Sequence, residues 1–417
     1  MKANSAAIDF AEFKLGWRVV ILAMLGLGIN ANASMLYAFG TLVIPLQKAF
    51  GWARGDLQST ISFLFAGAVI GSQLVGWLNL RYGMKRVTYV SLVSLSLTFA
   101  LMPLMGSSIA WLYLFFTILP IASLGTMHVT WTHLVNLWFE RNRGLSLALV
   151  LSGTGITAAL LPSGIAWSIE RWGWQAAFLL LAALPVVLVL PLALQWMSVP
   201  LNAVPLPDGK PAAMTDARPS VSGASFAMGI RSWNFWCLNI ALSLVVASVI
   251  TMVSNTVPLL RDKGLTAAAA SAVFGSFGLS LIGGRVLVGY LVDRLWAPAV
   301  AAVALALPAL GCLLLARTGV DDTSMLVLAT MLIGIGAGAE FDIAAYLMSR
   351  YFGMRDYGRL FGVHLGMITL AGALAPLLTS AMYRATGGYN AMLLLCGIAF
   401  LMGALMLLAL GRYPRFD

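Results

Sequence analysis

Long apolar runs alternate with short polar breaks along the chain. Twelve runs, near residues 17–46, 57–79, 87–106, 111–138, 144–168, 174–197, 234–260, 267–291, 297–316, 324–351, 358–383 and 389–411, carry very little charge. Helices of that length cross a hydrocarbon core about 30 Å thick, so each run predicts a transmembrane helix. One polar stretch is too long for a turn. Residues 198–233 hold Pro200, Pro205, Pro207, Pro211 and Pro219 with Asp208, Lys210, Asp216 and Arg218. Proline and charge together cannot pack as a span, so the stretch reads as a cytoplasmic linker. It divides the chain into six-helix segments at 1–197 and 234–417.

The two segments repeat with an offset of 213. Pro45 matches Pro258, Gly51 matches Gly264, Gly71 matches Gly284 and Gly76 matches Gly289. Arg81 matches Arg294, Gly125 matches Gly338 and Phe139 matches Phe352. One offset across separate regions implies duplication of a six-helix unit. The expected fold class is an all-α integral membrane protein of twelve helices, arranged as two parallel pseudo-symmetric six-helix bundles related by an axis along the membrane normal.

Composition sharpens this picture. Hydrophobic residues make up 60% of the 417 and charged residues 10%. Soluble domains carry about 25% charged residues, so an ordinary soluble enzyme and a disordered chain are excluded. The net charge of +10 raises nucleic acid as a partner. The placement of the charge explains it otherwise. With both termini in the cytoplasm, 17 Lys and Arg lie on the inner side and 7 on the outer, leaving Arg285 within a helix. That is the positive-inside asymmetry of a protein whose partner is the lipid bilayer. Cys237, Cys312 and Cys396 each sit in an apolar run and read as reduced and structural. The first apolar run is too long for a signal peptide and reads as helix 1. Gly153-Thr154-Gly155 and Gly334–Gly338 lack a P-loop lysine and read as helix-packing glycines. No catalytic triad or metal spacing occurs, so neither an enzyme nor a cofactor is expected.

Six plus six helices, a polar central linker and charged 2–3 and 8–9 turns resemble the major facilitator superfamily across essentially the whole chain. The family's 2–3 pattern is close to Gly76-Trp77-Leu78-Asn79-Leu80-Arg81-Tyr82-Gly83-Met84-Lys85-Arg86, with Leu80 standing where the family has an acid. The second copy, Gly289-Tyr290-Leu291-Val292-Asp293-Arg294, keeps the acid and loses the later glycine. By this resemblance Arg81, Asp293 and Arg294 are gating residues, with Asp293 carrying more of the inner latch. Within the superfamily, three stretches resemble the monocarboxylate porter and oxalate:formate antiporter branch. These are Gly284-Arg285 in helix 8, Trp138–Ala148 across helices 4 and 5, and Tyr37-Ala38-Phe39 in helix 1. The lysine that follows Tyr-x-Phe in mammalian-type proton porters is absent here, as is the helix 11 lysine of oxalate antiporters.

Arg285 is the strongest candidate for chemistry. Arginine cannot lose its proton in a protein, and a charge in a span costs at least about 2.5 kcal/mol, so it should face a cavity or a partner. Its planar fork matches a carboxylate through two parallel hydrogen bonds. The alternative is a structural partner for a helix 10 acid. Glu340 and Asp342 are two residues apart, so they point about 200° away from each other. Either is a candidate for proton coupling or for bracing helix 10. His128 and His133 are five apart and are poor joint metal ligands. His128 is a candidate for binding or for proton coupling. His364 lies near the position of the antiporters' second cation, and so joins the substrate-binding candidates through the resemblance. Asn30, Ser34 and Tyr37 share one helix face that bonds either substrate or a neighbouring helix, with Tyr37 favoured by the resemblance. Phe341 offers an apolar wall to substrate or ordinary packing.

These features predict a secondary active transporter of small organic anions, monocarboxylates first, in a bacterial inner or plasma membrane. Arg285 pairs with the substrate carboxylate, protons drive transport and the protein acts as a monomer. Carboxylate:carboxylate exchange is the nearest alternative. A drug or sugar porter of the same superfamily ranks lower, because a cationic cavity suits neither cations nor sugars. A membrane sensor would need a soluble signalling domain larger than this linker.

Overall fold

The computed structural model describes residues 10–139, 142–197, 223–292, 294–353 and 355–414. Asp293 and linker residues 198–222 therefore lie outside the described residues. The first pass consists of α1 (Phe10–Gly28) and α2 (Ala31–Phe50), which meet at a bend of 47°. Next come α3 (Arg54–Tyr82) and α4 (Met84–Leu101). The fourth pass is split into α5 (Ala110–Ala122) and α6 (His128–Trp138), and α7 (Arg143–Trp172) follows. The sixth pass runs from α8 (Trp174–Ala183) through a π-helical segment at Leu184–Val189 into α9 (Leu190–Trp196). After the short α10 (Phe226–Arg231) come α11 (Trp233–Asp262), α12 (Ala267–Val292), α13 (Ala297–Arg317), α14 (Thr323–Phe352), α15 (Tyr357–Thr386) and α16 (Asn390–Leu408).

Among the described residues, nine helices are long and apolar enough to cross a membrane, and the bent α1–α2 pair makes a tenth. The long but more polar α3 and the split α5–α6 run bring the helical passes to twelve. Three details depart from the sequence expectation. Two passes read as continuous are broken, and α10 forms inside the stretch read as linker.

Each break has a local cause. At the first, the Asn30 side chain caps α2 by accepting from the Ala33 N–H at 3.0 Å, and its amide also donates to the Leu27 carbonyl. The second falls after Pro120, between α5 and α6. Its freed backbone groups are taken up by α4. The Gly125 N–H donates to Ser91 Oγ at 3.0 Å, and Thr88 Oγ1 donates to the Gly125 carbonyl at 3.2 Å. A side chain at position 125 would put Cβ 2.7 Å from the Val87 carbonyl oxygen, so the contact requires glycine.

The lead-in to the first pass and the lead-in to the seventh are anchored in parallel ways. Glu12 of α1 accepts from the Asn142 N–H at 2.9 Å, just ahead of α7. Asp356 accepts from the Phe226 N–H at 2.8 Å, just ahead of α15. Both ties span 130 residues of chain.

The two faces of the bundle differ. On the face opposite the chain termini, here the far face, Arg54 at the start of α3 pairs with Asp262 at the end of α11. Arg54 also donates to Tyr383 Oη at 3.2 Å and Gln47 Oε1 at 3.3 Å. Arg384 Nη1 meets Asp56 Oδ1 at 2.9 Å. One turn deeper, Gln58 Nε2 donates to Asn255 Oδ1 at 2.6 Å, and both residues are buried. Toward the face that carries the termini, the packing opens along α12 and α3. Gly278 of α12 abuts the α7 backbone, with its Cβ position 2.8 Å from the Ala158 carbonyl carbon. Gly289, eleven residues on and about 20° round the helix, faces open space. On α3, buried Gln58 shares a stripe with Val69, which is 45% exposed. The bundle is sealed at the far face and open at the terminal face.

Candidate functional site

The site is built where α12 and α14 meet. Gly284 fits against Ile335, with its Cβ position 2.7 Å from Ile335 Cα, and Gly338 abuts the Leu281 carbonyl. Glycines let the two backbones close to this distance. Gly338 also faces the Arg285 backbone nitrogen, 3.1 Å from its Cβ position. Asp342, one turn further along α14, lies on the same side.

There Asp342 Oδ2 sits 3.2 Å from Arg285 Nε. The Arg285 side chain is 8% exposed and that of Asp342 34%. Asp342 meets the guanidinium at Nε as an ion pair, and among the described residues neither Nε nor Nη1, both buried, makes a hydrogen bond. Arg285 lies seven residues from the terminal-face end of α12, about 10 Å in. On the α12 helical wheel, exposed Leu279, Val286 and Tyr290 cluster opposite the side that carries Phe274, Leu281 and Arg285. The arginine therefore points away from lipid and into the bundle.

Other predicted residues converge on it. The Arg285 charge acts on Tyr37, His128, Glu340 and Asp342, which come from three further helices. Tyr37 of α2 is buried, with its hydroxyl beside Thr154 of α7. Its ring centroid is 6.2 Å from that of Phe277, which stacks on Phe274 at 5.2 Å. His128 opens α6 at the break in the fourth pass. It is exposed and lies within reach of the Arg285 charge. Glu340 is buried, and its Oε2 has no hydrogen-bond partner among the described residues. Of the two acids, Asp342 makes the ion pair with Arg285, while Glu340 lies within reach of the same charge.

Other candidates are committed elsewhere. Asn30 uses its amide oxygen to cap α2 and one amide N–H on the Leu27 carbonyl, which gives it a structural task at the break. His364 is fully buried, with Nδ1 2.9 Å from Asn239 Oδ1, in a closed contact between α15 and α11. Phe341 is 42% exposed. Arg81 stacks over Trp77 and Tyr82 at 5.4 and 5.6 Å. Arg294 lies over Tyr290 at 3.9 Å. Neither arginine has an ion-pair partner among the described residues, and Asp293 lies outside them. Among the described residues no cluster of His, Cys, Asp or Glu is arranged to hold a metal.

Sequence reasoning missed the far-face seal. Arg54, Gln58 and Asn255 carry no motif, and Gln58 and Asn255 are 197 residues apart. It also missed Asn239 as the partner of His364.

Comparison with known proteins places these features in a family. The chain is 25% identical over 408 residues to human Monocarboxylate transporter 11, covering 95% of this chain and 83% of that one. It is 26% identical over 396 residues to the Gallate transporter of Pseudomonas putida, covering 85% and 86%. Among solved structures it is similar to a bacterial homolog of the human lysosomal transporter Spinster in an inward-facing, occupied conformation. The TM-score is 0.67 at 16% identity, covering 97% of this chain and 96% of that one, which shows a shared fold. The model of the Major Facilitator Superfamily matches residues 22–320. The chain is a membrane transporter and belongs to the Major Facilitator Superfamily.

Proposed function

We propose that this protein carries small monocarboxylates across a bacterial inner membrane together with protons, with Arg285 as the anchor for the substrate carboxylate. The observation that carries the reading is the Arg285 guanidinium. It is a permanent cation inside the span, turned from lipid, with buried N–H groups that make no hydrogen bond among the described residues. A planar fork with spare donors suits a carboxylate. Tyr37 and His128 complete the binding layer, and Glu340 and Asp342 are the protonatable groups beside it. The names of the human and Pseudomonas relatives, a monocarboxylate and a gallate transporter, support an acid as cargo.

The six-helix segments 1–197 and 234–417 rock about this layer to give alternating access, with the linker 198–233 joining them. The Lys and Arg distribution supports cytoplasmic termini, with the sealed far face as the outer one. Arg81, Asp293 and Arg294 then belong to the gate that closes when the inner side seals. Exchange of one carboxylate for another is the second reading, favoured by the single cationic anchor.

Purified protein in liposomes tests both. Labelled lactate, pyruvate, formate, oxalate and gallate are offered with and without an inward proton gradient. The expected result is gradient-driven accumulation of at least one monocarboxylate. Uptake only into vesicles preloaded with an acid indicates exchange. No uptake of any acid under either condition overturns the reading and leaves Arg285 a structural brace.

A further inference from the structure

We infer that the far-face end of the boundary between the two segments binds one anionic phospholipid of the surrounding bilayer. Its phosphate bridges Lys48 and Arg261 and favours the sealed far face. The site is remote from Arg285 and independent of the cargo; only its effect on access rests on the rocking of the segments.

The site is a groove of about 430 Å³. Ile44 and Lys48 of α2, with Ile169, Glu170 and Trp174, form the first segment's side. Val257 and Arg261 of α11 and Ala267 at the start of α12 form the other. Its shape follows from small residues deeper in the membrane. There α7 and α12 touch backbone to backbone, with the Cβ position of Gly275 2.8 Å from the Ala159 carbonyl oxygen. Behind the groove α2 and α11 also touch, with the Cβ position of Gly40 3.2 Å from the Ser254 carbonyl oxygen. Toward the far face these helices leave a wedge-shaped gap. The seam between α7 and α12 lies on the perimeter of the bundle, since Leu160 and Leu279 beside the crossing are exposed. The groove is thus open to lipid along its side. Trp167 and Trp172 stand on α7 at the level of the groove, with ring centroids 5.0 Å apart, as interfacial aromatics do. Its mouth therefore lies at headgroup depth.

The charges at that mouth select the occupant. Lys48 and Arg261 come from different segments, and neither has an ion-pair partner among the described residues. Neighbouring charges are committed: Asp262 to Arg54, Lys263 to the Thr318 carbonyl at 2.9 Å and Arg171 to the Trp167 ring at 5.2 Å. Among the lining residues Glu170 is the acid, so two cations against one anion leave one net positive charge. A phosphodiester carries one negative charge and can accept from both cations. A soluble anion would satisfy the cations and leave the apolar walls wet. A phospholipid satisfies both, with its phosphate at the mouth and part of an acyl chain along Ile44, Ile169 and Val257. The phosphate then ties α2 of one segment to α11 of the other. Opening the far face separates these helices, so the lipid binds the sealed state more tightly and shifts the balance toward it.

The test uses full-length protein in detergent, offered phosphatidylglycerol or phosphatidylcholine with identical acyl chains and read by native mass spectrometry. One phosphatidylglycerol should be retained in preference to phosphatidylcholine. Lys48→Gln and Arg261→Gln should each weaken retention about fivefold, the worth of one cation beside an anionic headgroup. Arg317→Gln, at the far face but outside the groove, should not. Ile169→Trp fills the wedge without changing charge and should also weaken retention. Equal retention of the two lipids overturns the proposal, as does unchanged retention in the folded variants of the groove. Displacement of the lipid by millimolar inorganic phosphate or lactate overturns it too, because the groove is then an ion site. Lys48 is exposed, so Lys48→Gln decides alone should Arg261→Gln or Ile169→Trp fail to fold. The effect on access is read in vesicles. Ser62→Cys should react several-fold more slowly with an impermeant maleimide from the far face in phosphatidylglycerol than in phosphatidylcholine, and Lys48→Gln should remove the difference. Equal rates overturn the tie between the segments. A carrier that moves no acid leaves every one of these readouts intact, so failure of the substrate reading is a separate result.

Discussion

The first pass breaks at Asn30 and the fourth breaks between α5 and α6, whereas their repeat counterparts, α11 and α14, each run unbroken for 30 residues. The two segments also differ in what they bring to the centre. At the 213-residue offset, Arg285, Glu340 and Asp342 correspond to Ser72, Met127 and Val129. The first segment therefore offers broken helices, whose N-terminal ends carry partial positive charge from unpaired backbone N–H groups. The second offers full charges on continuous helices. Both copies carry the matching glycines, and the ionisable groups of the central layer stand in the second. Geometry and charge can thus be altered separately.

The largest effect is expected on the charged side. Arg285→Lys keeps the charge but removes the fork, at a cost of about 1.5–3 kcal/mol for a charged hydrogen bond. Carboxylate uptake should fall roughly 10- to 100-fold while expression and melting temperature stay near those of the wild type. Full activity would sink the anchoring role. Next comes the contact between the segments. Gly278→Leu drives a side chain into the α7 backbone at Ala158 and Ala159. Overpacking costs about 1–3 kcal/mol, so the melting temperature should drop by several degrees.

The broken side should respond more mildly. Asn30→Ala removes the cap of α2, worth about 1 kcal/mol. Stability should fall by that amount while substrate KM changes less than twofold; a large KM effect would return Asn30 to the binding site. The smallest effect is expected at the far-face seal. Partly exposed ion pairs contribute about 0.2–1 kcal/mol, so Asp262→Asn should shift the balance between open faces only modestly. A cysteine at Ser62, one turn below Gln58, should react up to a few-fold faster with an impermeant maleimide added from the far face. An unchanged rate would show that Arg54 and Asp262 do not hold that face shut.

The helical passes were legible because hydrocarbon thickness sets run length, and the repeat because glycines and prolines mark backbone contacts that duplication preserved. The repeat even extends to side-chain stacking. Trp77 and Tyr290 also match at 213, and each lies under the arginine four residues later. Arg285 stood out because a lone charge in a span demands an explanation. Its ion pair with Asp342 was foreseeable only as one of two options, since helical spacing says that Glu340 and Asp342 diverge but not which of them meets α12. The breaks were hidden for a different reason. Whether a chain can open its hydrogen bonds after Pro120 depends on Thr88 and Ser91 of another helix supplying partners. His364 shows the same limit, since a polar residue in a span looks alike whether it faces a cavity or an Asn239 lying 125 residues away.

The two lead-in ties have a consequence for how the protein is made. Glu12 cannot meet Asn142, nor Phe226 meet Asp356, until 130 further residues have been synthesised. By then four passes of that segment have been synthesised. Each tie therefore records the completion of four inserted helices, and the two segments reach that point one after the other at the same interval of translation. Loss of the Glu12 carboxylate would then be felt during membrane insertion as a longer-lived, protease-sensitive nascent chain, before any effect on the finished transporter.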